Sequence, residues 1–479
     1  MPITRKQQIL AKVEVAEGTS SAPGAGDAVQ VFEPTISPSV DVQKRVPSGP
    51  SLSRDFDPIG RQTRTVAFKS DFRGSGSTGT APDFERFLKA TGFTASVLKQ
   101  VTLGAVTGIG FQVGEIVSQS SGTIRGVVVG ILTAGNAPAG LRTQTSGHKL
   151  LVAVIVGTFT AAATTGESSA STSTASAVAD YASQFCYQPT SKKLVRLQTA
   201  AWSAGTIAVG NTLRIENVTT GVLLGAVQVD TLTSQTDFEV SVLWLQNGGW
   251  DATAATNRLR APNGTDTTTL SAAPVMTKTP SLTLRHNLDG RLRETVGARG
   301  DFTLEGDAGG PMQFSWSFTG DTVPPVDAAP VATTGLSTVR PPRLLGAYCG
   351  FGLGTEMHQL PLKRVSLSLA GQVNPNLDAN RSGGATGSNV TDREPALAVT
   401  VDAVNGGFDW EAALSAGTVV RAAFILGTAQ GNIVAIVAPL CQVHAASPGD
   451  GDGVATMEVV LAAKRILESG DDEIYVAQF

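Results

Sequence analysis

Met312-Gln-Phe-Ser-Trp-Ser-Phe318 alternates without a break: Met312, Phe314, Trp316 and Phe318 fall on one face, Gln313, Ser315 and Ser317 on the other. A period of two belongs to a half-buried β-strand, whose successive side chains point to opposite faces. The same period recurs in both directions. Val66 and Phe68 oppose Thr65, Ala67 and Lys69; residues 281–285 alternate; Val365, Leu367 and Leu369 share a face; and Leu397-Ala-Val-Thr-Val401 repeats the pattern. Further strands are predicted over 419–426, 433–437, 456–461 and 473–477, and a short one at Val29-Gln-Val-Phe32. Two short amphipathic helices interrupt them. Phe84, Phe87 and Leu88 sit at i, i+3 and i+4 of residues 83–90, closed by Gly92, and residues 407–414 carry Phe408, Trp410 and Leu414. The fold class expected is mainly β, with short flanking helices.

Composition agrees. Of 479 residues 53 are Gly, and charged residues make up 16%, against roughly 25% in an average soluble protein. Low surface charge suits a chain whose surface is taken up by neighbours. A net charge of −4 implies no basic surface for the chain as a whole. No apolar run reaches the ~18 residues of a membrane helix, and the polar start, Met1-Pro-Ile-Thr-Arg-Lys-Gln-Gln8, is not that of a signal peptide. Cys186, Cys349 and Cys441 are odd in number and widely spaced, which argues against a disulfide framework or a Cys zinc site.

The texture changes between residues 99 and 255, where aromatics become scarce and Thr, Ser, Val and Gly dominate. Stretches 113–129 and 209–225 each read strand, Ser/Thr-Gly turn, strand, as related hairpins of one inserted all-β region. Residues 161–179, nearly pure Ala, Ser, Thr and Gly, read as a linker or surface loop. The expected organisation is 1–98, an insertion over 99–255, and 256–479. A strand with Val66 and Phe68, then a Gly/Ser loop, then a helix with Phe84 and Phe87 forms one unit. The strands at Val365 and Val399, with a long loop over 374–394 between them and a helix with Phe408 and Trp410 after, form another. That parallel predicts a duplicated module.

Gly74-Ser-Gly-Ser-Thr-Gly79 fits G-x-G-x-x-G between a strand and a helix. The strand is half polar, the helix is short, and no acid stands ~20 residues on to meet a ribose, so an assembly loop is favoured over a cofactor cradle. Gly74, Gly76 and Gly79, with Gly383 and Gly384 in the second long loop, are the assembly-loop candidates. Phe84, Phe87, Leu88, Phe314, Trp316, Phe318, Phe408 and Trp410 are candidates for the core or subunit contacts. The strict alternation of Phe314, Trp316 and Phe318, without interleaved Lys or Arg, favours core over a base-stacking surface. His148, His286, His358 and His444 stand alone, Asp450 and Asp452 in Pro448-Gly-Asp-Gly-Asp-Gly453 favour a plain turn over a calcium loop, and Arg299-Gly-Asp301 reads as a chance tripeptide. No P-loop, HExxH or nucleophile elbow is present, so neither catalysis, cofactor nor metal is expected.

Four segments together resemble siphophage tail tube proteins of the lambda-like, long non-contractile kind: Phe72-Arg-Gly-Ser-Gly-Ser-Thr-Gly-Thr-Ala-Pro-Asp-Phe84; Thr283-Leu-Arg-His-Asn-Leu-Asp-Gly-Arg291 with Gly297-Ala-Arg-Gly-Asp-Phe302; Gly309-Gly-Pro-Met-Gln-Phe-Ser-Trp-Ser-Phe-Thr-Gly320; and Gly470-Asp-Asp-Glu-Ile-Tyr475. Their order and spacing carry the resemblance, over roughly residues 1–98 and 275–479. It implies a β-sandwich or partial barrel whose subunits join strands around a ring, the rings stacking into a tube in the virion tail after assembly in the host cytoplasm. The partners implied are further copies of the chain, tail tip or baseplate and terminator proteins at the ends, and the tape measure protein and double-stranded DNA in the lumen. The insert would be an outward decoration, available for host surface contact. A hexamer of single modules or a trimer of doubled ones would complete a ring. Two other readings stay open: another virion structural role, as capsid decoration or tail tip, and a carbohydrate-binding or hydrolytic virion protein with Trp202, Trp244 and Trp250 as sugar platforms.

Overall fold

The computed structural model describes residues 6–14, 17–45, 56–96, 98–181, 185–192, 194–202, 207–245, 257–262, 267–269, 271, 275–276, 279–334, 336–379, 383–403 and 408–479. The chain is mainly β. Its frame is one arrangement of strands made twice. The first set is β1 (Gln7–Val13), β2 (Ala28–Val29), β3 (Phe32–Val42), β4 (Ile59–Asp71), α1 (Glu85–Ala90), β5 (Leu282–Leu288), β6 (Arg291–Asp307) and β7 (Gln313–Thr322). The second is β8 (Tyr348–Leu353), β9 (Glu356–His358), β10 (Leu362–Ser368), β11 (Ala396–Asp402), α2 (Trp410–Ser415), β12 (Val419–Leu426), β13 (Val434–Gly451) and β14 (Val454–Ala463).

Antiparallel pairing in the first set runs β2-β1-β5-β6-β7-β4-β3. In the second it runs β9-β8-β12-β13-β14-β11-β10, the same order seven strands on. The register repeats as well. Leu282 and Leu284 of β5 face Ala298 and Thr295 of β6, with one residue bulged out of β6. Val420 and Ala422 of β12 face Cys441 and Ala438 of β13, with the same bulge. From that anchor, Gly300 opposite Phe318 corresponds to Val443 opposite Leu461, and Ile36 opposite Val66 to Leu367 opposite Leu397. The two copies then join edge to edge: Thr303 to Asp307 of β6 pair with Ser368 to Arg364 of β10. The result is a continuous eight-strand sheet, β3-β4-β7-β6-β10-β11-β14-β13.

Alternation decides which face of this sheet is covered. Phe68, Phe302, Phe314, Trp316, Phe318, Leu367, Val399 and Leu461 point to one side and are buried in the main core. There α1 lays Phe87 on the sheet, 5.1 Å from the Phe68 ring and 5.3 Å from Trp316, with Phe84 and Leu88 beside it. Helix α2 plays the same part for the second copy: Trp410 packs 5.2 Å from Phe351 of β8 and Phe408 4.4 Å from Trp410. The eight core candidates are therefore core residues, Phe408 at its margin.

The expected boundaries need correction. Strands β5 to β7, in the third segment, complete the first copy across the insert, because they pair with β1 and β4; it is the extent of the insert that differs. The single inserted region is two units, both spliced between α1 and β5, where the second copy needs only residues 416–418. Residues 98–180 close a six-strand barrel with its own core, seated on Ala423, Ile425, Val437, Tyr475 and Phe479. The chain then returns through Phe185–Pro189, which pairs with Phe93–Ser96 and with Tyr475–Gln478 at the side of β13. A seven-strand unit with a third core follows over residues 194–276. The hairpins at 113–129 and 209–225 thus lie in different units. Residues 161–179, read as a linker or loop, instead supply the barrel strands Ala163–Gly166 and Thr172–Asp180. Their side chains fill little of a core; they close the barrel through backbone pairing with the strands Leu98–Thr107 and Ile116–Gln119 and with each other.

Candidate assembly surface

The uncovered face of the eight-strand sheet is polar and mostly made of small residues, among them Thr65, Ala67, Thr303, Ser315, Ser317, Ser366, Ser368, Ala398 and Thr400. Three of its cations are held by carboxylates. Lys69 meets Glu33 at 2.8 Å, Arg364 meets Glu305 at 2.8 Å with Asp307 at 3.8 Å, and Lys363 meets Asp402 at 3.0 Å. Asp71, which accepts a hydrogen bond from Gln313, and the exposed Glu458 add further negative charge. Apolar alternation therefore buries one face, and the face left over presents an acid excess.

The sheet ends in two unpaired borders. Among the described residues, no strand pairs with the outer edge of β3. On β13, β14 takes one side of residues 441–451, while β12 occupies the other side only as far as residue 442. Beyond Val443, whose N donates to Thr418 O, no strand among the described residues takes that side. Three prolines mark these borders: Pro34 and Pro38 in β3, and Pro448 in β13. Proline lacks an N–H, so within a strand paired on one side it must turn its nitrogen to the unpaired side. Prolines on a border blunt indiscriminate strand addition.

The glycine loops are anchored within the chain over part of their length. Gly74 and its neighbour are pinned within the chain: Gly74 N donates to Asn432 Oδ1 at 2.9 Å, Ser75 N to Gln478 Oε1 at 3.1 Å, and Gly76 N to Gly431 O at 3.0 Å. Glycine is needed there, since a Cβ on Gly74 would sit 2.2 Å from Gly431 O and Gly76 has φ +80°. Residues 76–80, with Gly76 and Gly79, are exposed. The 374–394 loop is a hairpin, Gln372–Leu377 against Ala385–Asp392, folded onto the first copy. Gly383 O accepts from Gln62 N, Gly384 packs beside Arg61, Gly387 N donates to Asp321, and Ser388 Oγ donates to Thr319 O at 2.6 Å. Arg299, 1% exposed, bonds Ser388 O, Thr279 O and Glu17, so Arg299-Gly-Asp301 is a strand segment with a buried arginine. Strand spacing alone gave no sign of this anchorage; the buried arginine finds its acceptors only through long-range folding.

Other singled-out groups resolve individually. Trp202 is half-buried: its ring lies 6.5 Å from Phe238 at the margin of the third core and its Nε1 donates to Gln235 O at 2.7 Å. Trp250 and the Trp244 side chain lie outside the described residues. Asp450 accepts from Gly453 N within the β13–β14 turn. His286 is buried, and its pKa falls to about 4 because burial, then Arg293 and Arg64, oppose its charged form. Among the described residues no three His, Cys, Asp or Glu side chains converge as metal ligands. Burial pushes the thiols of Cys349 and Cys441 up to about 12. No protein-family model matches this chain, and no curated protein matches it either.

Proposed function

We propose that this chain is a non-enzymatic subunit of a phage tail tube, assembling into stacked rings that form the conduit for DNA ejection. The observation that carries the reading is the doubled module: seven strands and a helix occur twice in one pairing order, and the copies are already joined through sheet edges. A chain built this way extends by adding the next module to its open border. Three chains then supply six modules per ring. The polar, acid-rich face supports a lumen role, because a wall that does not pair with phosphates lets DNA pass, whereas a basic wall would hold it through charge contacts. The sheet's apolar face carries the core and, behind it, the barrel, which leaves the barrel and the 194–276 unit as outward decoration. On this reading the partners are further copies of the chain, a tail tip and a terminator at the two ends, and the tape measure protein and then DNA inside. Electron microscopy of the purified protein at high concentration, alone and with a tail-tip fraction, tests it. Rings or tubes with threefold symmetry are expected; a chain that stays monomeric in every condition refutes it.

A further inference from the structure

Resting on that reading, we propose that the joint between successive chains copies the joint inside the chain, with β13 of one copy pairing antiparallel to β3 of the next in a register fixed by internal equivalence. The internal joint sets β6 against β10, with Leu304 opposite Leu367. In the second copy β13 stands where β6 stands in the first, and β3 stands where β10 stands in the second. Leu304 and Pro448 share a station, since each faces the same position of the next strand, Phe314 and Met457. Ile36 and Leu367 share another, opposite Val66 and Leu397. Copying the internal joint places Pro448 opposite Ile36 of the next chain, and Ser447 opposite its Ser37. Among the described residues no strand pairs with either border along these residues, and the contact is head to tail, so it extends a ring instead of closing a twofold dimer.

The prolines fit this register. At the internal joint Leu369 N donates to Phe302 O and Ala308 N to Lys363 O, so even-numbered residues of β6 turn their backbone groups to β10. The corresponding residues include Ala446 and Pro448, which meet Pro38 and Ile36. Each of these two pairs contains one proline. Each therefore keeps one of its two backbone hydrogen bonds: Ala446 N to Pro38 O, and Ile36 N to Pro448 O. Pro34 stands in the bulge of β3 between Phe32 and Thr35, where the copied register ends. The joint between chains retains its specificity and is weaker than the joint within the chain.

Cysteine pairing tests the register. Ser37 and Ser447 are both exposed on the polar face, at a station without cross-strand hydrogen bonds, where Cα atoms approach to about 4.5 Å and a disulfide can close. Ser37→Cys and Ser447→Cys chains, mixed at ring-forming concentration and mildly oxidised, are expected to give disulfide-linked pairs; either alone is not. The native thiols at Cys186 and Cys441 are buried. In a second arm Ile36→Pro removes a remaining donor, while its nitrogen already faces outward, so the chain should fold with an unchanged circular dichroism spectrum. Its ring-forming concentration should rise at least about 2- to 10-fold, the worth of one hydrogen bond, with the loss of the Ile36 side-chain contact adding to it. Rings without the mixed disulfide, or disulfides in Ser37→Cys alone, overturn this joint and leave the conduit reading standing. Absence of rings from the unmodified chain overturns both.

Discussion

Truncating one side chain at each of two equivalent stations separates a border completed within the chain from one left open. Leu367 lies 1% exposed, enclosed by Leu304 across the internal joint and by Leu397 on its other side. Leu367→Ala empties a closed site, a change that costs about 2–5 kcal/mol. Ile36 occupies the same station, but only Val66 flanks it and it is half-buried. Full burial of such a side chain is worth about 1.5–3 kcal/mol, so Ile36→Ala should cost the isolated chain roughly half of that. The other half should emerge on assembly, raising the ring-forming concentration about 3- to 10-fold per joint, since about 1.4 kcal/mol is tenfold. The assay is the urea midpoint followed by tryptophan fluorescence, compared between variants because a chain with three separate cores need not unfold in one step. Sedimentation velocity then gives the ring-forming concentration. If Ile36→Ala lowers the midpoint as far as Leu367→Ala, or leaves assembly untouched, β3 is not an incomplete border and the reasoning fails.

Three further outcomes follow from particular side chains. Trp316 Nε1 donates to the buried Ser70 hydroxyl at 2.8 Å, so Trp316→Phe should lose about 1–3 kcal/mol, measured by urea unfolding, even though the ring stack survives. His286 is folded as the neutral imidazole, with its pKa lowered to about 4. Between an unfolded value of about 6.5 and that value the unfolded chain takes up a proton that the folded chain refuses, so this contribution is complete above pH 6.5 and is lost as the pH falls. His286→Asn should flatten the stability-against-pH curve across that window by on the order of 2–3 kcal/mol relative to the parent chain; identical slopes would dismiss the assignment. Asp307→Lys with Glu458→Lys puts positive charge on the polar face. Tubes of this variant should co-sediment with duplex DNA at low salt and release it as salt rises, while parent tubes do not bind.

The strands were legible because alternation survives in a single sequence: 312–318, 365–369 and 397–401 all lie where the period of two placed them. Both helices were found from three or four apolar residues each. The duplication was visible only as a strand–loop–helix echo, since the pairing order that defines it is written in contacts between residues such as Ile9 and His286, far apart in the chain. The insert boundaries failed for the same reason. Nothing in Phe185-Cys-Tyr-Gln-Pro189 announces that this stretch leaves the insert to pair with Tyr475–Gln478. The barrel strands at 163–180 were lost because Ser, Thr and Ala satisfy backbone pairing without a hydrophobic signature. Of the assembly surface, the acidic tendency could be guessed from net charge, but its confinement to one face required the register. Pro34, Pro38 and Pro448 were in plain view and meant nothing until the strands on one side of each were known.

The number of chains in a ring is constrained by geometry as well as by symmetry. Strands about 4.8 Å apart and tilted by about 40° give a wall whose perimeter grows by about 6 Å per strand. Two copies of the eight-strand sheet would close at a backbone diameter of about 32 Å, and with side chains reaching about 5 Å inward little more than 20 Å remains. A duplex with its hydration and counterions would fit such a bore without clearance. Three copies close at about 48 Å and leave about 38 Å, wide enough for DNA to slide and for the tape measure protein to occupy the bore beforehand. Four would leave a lumen of about 55 Å, too wide to guide either. Copying the internal joint is also easiest when every joint turns the sheet by the same angle, and six equal joints, three within chains and three between them, meet both conditions. A cross-section with fourfold or twofold symmetry would contradict the sheet-closure argument even if the chain proved to form tubes.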